Sequence, residues 1–416
     1  IHGFPTHQRL SEVSPDNPVV LAHASGHAVL ANQKALDIAN ISSETLSPEG
    51  GDILKDMNGN PTGILNENAE DMLTSLIPEN SDEKKIEALN IAIEECLKNG
   101  ITSFHDAGAD QETIDLYSSF RNNEMLKIRL YVMLNGSDDA LLQSWYEKGP
   151  MIDTTKNLLT VRSIKHYADG ALGSRGALLL EDYSDAPGVQ GLRISTLDQI
   201  MRVTQEGYKN NFQIATHCIG DRANREVLDL YEIVLGADST KANPRFRIEH
   251  AQHISPDDIP RFGAMGVIPS MQAIHMSSDR PWAIDRLGKK RIVEGAYMWQ
   301  MLMESGANLM NGTDAPVEPV SPIASFFSSV TRQTLKGKPL AGYEPDQKLS
   351  RTQALKAYTI NNAFGAFEED IKGSIEIGKL ADFTILSKNI MEIPTEEILS
   401  TEIEYTIVNG EVRYKK

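Results

Sequence analysis

Hydrophobic positions along the chain change period in a repeating way. From Ser81 to Asn99, Ile86, Leu89, Ile93 and Leu97 recur every three or four residues, which predicts a helix with one buried stripe. Ser81 is placed to cap its start and Gly100 to close its end in a left-handed turn. Ile101-Thr102-Ser103-Phe104 then reads as a strand that ends in His105-Asp106-Ala107-Gly108. The same alternation predicts strands over 128–134, 161–167, 212–216, 245–249, 266–269 and 308–311, with helical patterns between them, among them 197–209 and 222–235. Strands that take turns with helices point to a parallel sheet in an α/β fold.

Polar residues with chemical potential fall where these strands end: His105, Lys165, His217, His250 and Asp314. A barrel aims all its strand ends at one mouth, whereas an open sheet gathers ligands at one switch point. The expectation is therefore a TIM-like (β/α) barrel over 81–365. Residues 1–80 are rich in turn formers, such as Ser14-Pro15-Asp16-Asn17-Pro18, Pro48-Glu49-Gly50-Gly51 and Asn58-Gly59-Asn60-Pro61, and read as an irregular region flanking the barrel. Within it only Val19-Val20-Leu21-Ala22 looks like a short buried strand. A last helix is predicted over 349–363, capped by Ser350. Beyond it, 373–386 reads as two strands around Gly378-Lys379, and Tyr405–Val408, Asn409-Gly410, Glu411–Tyr414 as a hairpin. Residues 366–416 are thus expected to form the C-terminal half of a small β-sandwich.

Composition narrows the function classes. The 416 residues leave room for a barrel of about 250 and a smaller unit. A formal net charge of −18 argues against nucleic acid and anionic membrane as partners. No apolar run approaches the ~20 residues that span a bilayer. The two cysteines, Cys96 and Cys218, are too few for a disulfide framework. A small-molecule substrate is the expected partner, and self-association into a homo-oligomer is left open. The opening Ile1-His2-Gly3-Phe4 has no initiator Met and no signal-peptide pattern. We therefore expect sequence before Ile1, and the compartment, cytoplasmic or exported, stays open.

A lone histidine on a buried strand is more often core than ligand, so the case is cumulative. Thr216-His217-Cys218 follows the apolar Phe212-Gln213-Ile214-Ala215, Ile248-Glu249-His250 follows Arg245-Phe246-Arg247, and Gly312-Thr313-Asp314 follows Asn308-Leu309-Met310-Asn311; each puts a metal-competent side chain where a strand gives way to its loop. Imidazole nitrogen and carboxylate oxygen are standard ligands of zinc and similar divalent ions. Lys165, in Val161-Arg162-Ser163-Ile164-Lys165, has two readings. Its stem can snorkel along apolar surface to solvent. Alternatively, beside a metal it loses its proton readily, and the neutral amine can take up carbon dioxide to give a carbamate that bridges two metals.

With these residues in view, the chain resembles the amidohydrolase superfamily, in its YtcJ-like branch that includes N-substituted formamide deformylases. The resemblance rests on Ile164-Lys165…Asp169-Gly170-Ala171-Leu172-Gly173-Ser174-Arg175, on His217…Gly220-Asp221-Arg222-Ala223, and on Ile248-Glu249-His250-Ala251-Gln252 with Gly312-Thr313-Asp314. Supporting matches are Pro15–Val19 with Gly26-His27 and Asn32, Gly59–Glu67, and the 373–386 tail. Together they cover nearly the whole chain and say little about substrate.

The resemblance implies a hydrolase that uses a zinc-type divalent metal, one or two ions. Lys165 would be the carboxylated bridging ligand, His217 and His250 ligands from the fifth and sixth strands, and Asp314 both a ligand and the proton shuttle. The family's His-x-His pair on the first barrel strand has no match here, since His23 and His27 are spaced by four. A barrel without its first strand and first-strand ligands is therefore expected. Metal-activated water, its pKa lowered from about 15.7 to roughly 7, would attack a carbonyl while Asp314 takes the proton and passes it to the leaving nitrogen. The bond implied is a non-peptide C–N bond of an amide or formamide. An ester or phosphoester is the alternative within enzymes, and a non-catalytic barrel serving as a binding scaffold the alternative outside them. His27, Glu67 and Arg175 lie in loops able to line the mouth and are candidate substrate contacts. Asp221 is either another contact or the cap of the next helix. His253 is expected to start a helix without a chemical role. Trp282, Tyr297 and Trp299, before the last strand, pack by default or close over an apolar substrate group.

Overall fold

The computed structural model describes residues 4–237 and 243–416. A four-stranded antiparallel sheet comes first: β1 (Val20–Ala22), β2 (Ala28–Ala31), β3 (Gly51–Lys55) and β4 (Pro61–Glu67), in spatial order β1-β2-β4-β3. The stretch expected to be irregular thus contains a sheet. Its turn formers mark connections between short strands: Gly26 sits between β1 and β2 and Gly59 between β3 and β4, both at positive φ. Strands this short carry too few alternations to register as a period. The small core beneath them is Val29, Leu36, Ile53, Leu65 and Leu73. β1 is an edge strand and not buried, with Leu21 51% exposed.

The main sheet holds β5 (Ser103–Ala109), β6 (Arg129–Asn135), the two-residue β7 (Met151–Ile152), β8 (Leu159–Tyr167), β9 (Gln213–Cys218), β10 (Arg247–His250), β11 (Ile268–Met271) and β12 (Met310–Asn311). β7 pairs antiparallel with β8; the rest are parallel in the order β5-β6-β8-β9-β10-β11-β12. The sheet is curled. In a flat sheet β5 and β10 would lie about 19 Å apart, four strand spacings. Instead Arg247 Nη1 of β10 meets His105 Nδ1 of β5 at 3.2 Å across the interior. The result is a TIM-like α/β fold, open between β5 and β12 among the described residues. At the β12 edge, Asn361 and Asn362 donate side-chain hydrogen bonds to the carbonyls of Leu309 and Asn311.

His105 therefore sits within a strand, facing inward, and not at a strand end as the sequence suggested. The strand runs past it because Asp106, Ala107 and Ala109 continue the ladder with β6. The helix Asp82–Lys98 forms with Gly100 at φ 79 behind it; Ser81 takes the cap position without bonding the helix backbone through its side chain. The expected last helix is two, Arg351–Tyr358 and Ile360–Gly365, broken where Thr359 leaves helical geometry. Ser350 caps the first through a reciprocal box with Gln353.

In the tail, β13 (Phe383–Leu386), β14 (Ile403–Val408) and β15 (Glu411–Lys415) form a three-stranded antiparallel sheet. Asn409 and Gly410, both at positive φ, make the expected hairpin turn. The strand expected over 373–377 is absent. Ser374 Oγ bonds Glu376, and Lys379 Nζ bonds Ser374, so the segment closes on itself and leaves Ile375 and Ile377 exposed. The sheet docks under the barrel through Thr406 Oγ1 to Leu97 O, and through Arg129, which pairs with Asp382 at 2.6 Å.

Candidate metal centre

Register fixes which side chains share the mouth. Tyr167, His217, Glu249 and Ser270 are Cα partners across β8, β9, β10 and β11, so all four face the interior in one layer. Lys165, two residues before Tyr167, lies one layer lower beside Ala215. His250 and Asp314 reach the mouth by another device. Both have left-handed backbone, φ 74 and φ 56, which turns the chain at the strand end. For a non-glycine residue that geometry costs roughly 1–2 kcal/mol, a strain typical of functional sites.

Around them the imidazoles converge. The His217 and His250 ring centroids are 4.5 Å apart, and His250 stacks on His275 at 6.0 Å. His275 Nε2 lies 3.7 Å from Asp314 Oδ2. Lys165 Nζ sits 3.6 Å over the Tyr167 ring, and its charge acts on His27, His217, His250 and Asp314. Lys165, His217, His250 and Asp314 are thus brought together at one rim.

Burial drives the His217 and His250 pKa values down, and the neighbouring charge of Lys165 adds to this, so both rings are neutral and able to ligate. Burial pushes the Asp314 carboxyl up, but its electrostatic interactions with His250, His275 and Lys165 overbalance this and hold it below its ordinary value. Two buried nitrogens, His217 Nε2 and His275 Nε2, have no hydrogen-bond partner. Gln272 sets the tautomer of His250: its Nε2 donates to Ser270 O, so its Oε1 must accept from His250 Nδ1 at 2.7 Å. His250 Nε2 is left with a lone pair for a metal. Neutral imidazoles, orphaned nitrogens and an ionised carboxylate fit a divalent cation.

The opposite wall comes from the small sheet. His27 packs its ring 5.2 Å from His217 and bonds Glu67 through Nδ1 at 2.6 Å. Burial lowers the His27 pKa, but the hydrogen bond and charge of Glu67 outweigh it and raise it overall. Glu67 also accepts from Ala171 N and Ser174 Oγ. A Cβ on Gly170 or Gly176 would collide with this carboxylate, which gives the Asp169–Gly176 motif a packing reason. Asp169 is itself buried beneath His217, 3.6 Å from Nε2, and accepts from the backbone of Leu178, Ile219 and Gly220.

The family model described as "Amidohydrolase family" matches residues 1–414. The chain belongs to the amidohydrolase family. Similar proteins are Protein LONG AFTER FAR-RED 3 of Arabidopsis thaliana, 34% identical over 99% of this chain and 71% of its own length, and putative amidohydrolase YtcJ of Bacillus subtilis, 32% over 99% and 77%. N-substituted formamide deformylase of Arthrobacter pascens is 27% identical over 99% of the chain and 76% of its own, which puts the chain in the YtcJ-like branch. Among solved structures, an uncharacterized metal-dependent hydrolase from Pyrococcus horikoshii superposes with TM-score 0.72 and 28% identity, covering 92% of this chain and 73% of that one. Hydrolase chemistry with a divalent metal is the family's frame for this site.

In this amidohydrolase the mouth opens into a cavity of about 1220 Å³ that reaches from His27, Lys165 and Asp314 down past Met133, Met310 and His105. Among the expected substrate contacts, His27 and Glu67 line it, whereas Arg175 and Asp221 do not. Arg175 pairs with Asp185 at 2.9 Å. Asp221 begins the helix Asp221–Ala237, accepts from Leu180 N, and lies 3.5 Å from His253 Nε2. His253 is buried in a bridge with Ala296 and starts no helix. Tyr297 and Trp299 are core residues, buried to within 2% of full coverage. Sequence reasoning missed Gln272, His275, Asp169 and Tyr167. The first two follow β11 directly, and the strand-end rule applied to the other strands would have found them.

Proposed function

We propose that this chain hydrolyses a non-peptide C–N bond, of amide or formamide type, with Lys165, His217, His250 and Asp314 as the residues that hold the metal. The observation that carries the reading is the convergence of His217, His250, Asp314 and Lys165 at a single rim, above a cavity large enough for a small molecule. The N-substituted formamide deformylase of Arthrobacter pascens supports the choice of bond. When bound, a divalent cation supplies Lewis-acid polarisation of a carbonyl and acidifies water. Asp314, whose carboxyl its neighbours hold below its ordinary value, takes a proton at the mouth and returns it to the departing nitrogen. Gln272 keeps His250 in the tautomer that can ligate. His27, held by Glu67, contacts the substrate from the opposite wall.

The test is turnover of a panel of N-acyl and N-formyl compounds by metal-stripped protein and by the same protein reloaded with zinc. Release of amine from at least one compound, only after reloading, is the expected outcome. A reloaded protein that cleaves esters or phosphoesters and no amide overturns the bond assignment.

A further inference from the structure

Glu249 stands in the interior layer of Tyr167, His217 and Ser270 and directly precedes His250 in the chain. It borders the cavity and is only 8% exposed. Neither oxygen of its carboxyl has a hydrogen-bond partner among the described residues, and Oε1 is shielded from solvent. The donors that could answer it are committed elsewhere. Arg247, two residues earlier on β10, holds Nη1 3.9 Å from Glu249 Oε1. Its guanidinium is bound lower in the barrel, where Nη1 meets His105 at 3.2 Å and Nη2 donates to Gly365 O at 2.6 Å. Lys165 Nζ lies over the Tyr167 ring. A buried acceptor without a donor loses its hydration and gains nothing in return, so such a group in a native fold calls for a partner. The side still open to Glu249 is the cavity.

Cα partners on neighbouring parallel strands lie about 4.8 Å apart, so Glu249 sits beside His217. A carbonyl compound seated against the rim histidines brings the atom next to its carbonyl carbon within reach of this carboxyl. In a secondary amide that atom is an N–H donor. In the ester of the same shape it is an oxygen that offers only lone pairs, which a carboxylate repels. We infer that Glu249 accepts a hydrogen bond from the N–H of the scissile amide and thereby selects a C–N over a C–O bond. A site built around such a bond rejects the analogue that lacks it, because the buried acceptor is then left unpaired. The inference deepens the hydrolase reading by naming secondary amides and formamides as the substrate class, and it rests on that reading for what occupies the mouth.

N-Butylformamide and butyl formate, which differ only in N–H against O, are the probes. Their dissociation constants are measured by ligand-observed NMR on the metal-stripped full chain, where no turnover intervenes, and their kcat/KM on the zinc-reloaded protein. The wild type is expected to bind the formamide at least about tenfold more tightly than the formate, and Glu249→Gln to bring the two within about threefold by weakening the formamide. Glu249→Asp keeps a carboxylate beside Arg247 but withdraws it by one methylene, and its ratio is expected to fall between. A merely structural role would lower both probes alike and leave the ratio unmoved. Equal binding of the two probes by the wild type, no detectable binding of the formamide, or a wild-type ratio in Glu249→Gln overturns the inference; cleavage of the formamide in that case leaves the hydrolase reading standing. Where Glu249→Gln does not fold, a wild-type ratio in Glu249→Asp overturns it equally. The expected ratios without cleavage of any N-formyl or N-acyl compound overturn the hydrolase reading and leave the Glu249 contact standing.

Discussion

Two walls of one mouth place their polar side chains by different physics. Along β8 to β11 the ladder does the work: once neighbouring parallel strands are in register, Tyr167, His217, Glu249 and Ser270 share a layer, whatever their chemistry. The facing wall has no such ladder. Glu67 and His27 arrive on an antiparallel sheet from elsewhere in the chain, and a single buried carboxylate holds them to the Gly170–Gly176 turn. Backbone pairing at the rim is cooperative and indifferent to side-chain identity, so its chemistry can be deleted without unfolding. At the clamp, the group that orients the chemistry also helps hold two units together, beside the bond from Asn68 Nδ2 to Ile194 O.

The sharpest way to break this comparison is at the rim. Asp314→Asn keeps shape and removes the charge that takes up the proton, so turnover of the best N-acyl or N-formyl substrate should fall by about 10³-fold or more. Because the residue sits at the end of an intact ladder, the thermal midpoint should stay within about 2 °C of wild type. Activity within tenfold of wild type removes Asp314 from the role of proton shuttle. Unfolding of the variant would instead erase the distinction between the two walls.

The same contrast explains what could be read from the chain. Lys165, His217, His250 and Asp314 were legible because each lies at or near the end of an expected strand, and a parallel ladder converts position in a strand into position in space. Gln272 and His275 carried the same signal after Ile268–Met271 but opened a helix instead of ending a strand. Of the first sheet only β1 was read, because four- to seven-residue strands broken by glycine turns show almost no period. Glu67 and His27 were visible only as polar loop residues, since nothing local encodes a contact across more than a hundred positions, from Glu67 to Ala171. The reverse error occurred at 373–377, where alternation looked like a strand and side-chain bonds made a closed turn.

A smaller effect, and one on stability, is expected at the clamp. Glu67→Ala strands the Ala171 N–H and the Ser174 hydroxyl, and leaves His27 without its partner. Loss of about 2–4 kcal/mol in urea unfolding follows from unsatisfied buried groups and a broken buried ion pair. Glu67→Gln, which preserves an accepting oxygen, should lose about half as much. Equal losses in the two variants would mean that shape, and not charge, holds the clamp. A Glu67→Ala protein as stable as wild type would mean that the sheet is held by its other contacts.

The smallest effect sharpens the comparison by asking whether the clamp tolerates a second charge. Glu70 follows Glu67 by three residues, lines the same cavity, and has a buried Oε1 with no partner. Burial, reinforced by the negative charge of Glu67, pushes its pKa from the ordinary 4.5 up to about 7. Between those two values the folded state holds a proton that the unfolded chain has released. Its contribution to stability is therefore favourable below pH 4.5, declines as pH rises through the window, and is fully lost above 7. Glu70→Gln has no proton to lose, so it should be more stable than wild type by about 1 kcal/mol at pH 8, allowing for solvent screening. The two proteins should converge at pH 4, as followed by urea midpoints across the range. A gap that persists unchanged to pH 4 would trace the gain to packing, and a Glu70→Gln less stable than wild type at pH 8 would show that the clamp needs both carboxylates charged.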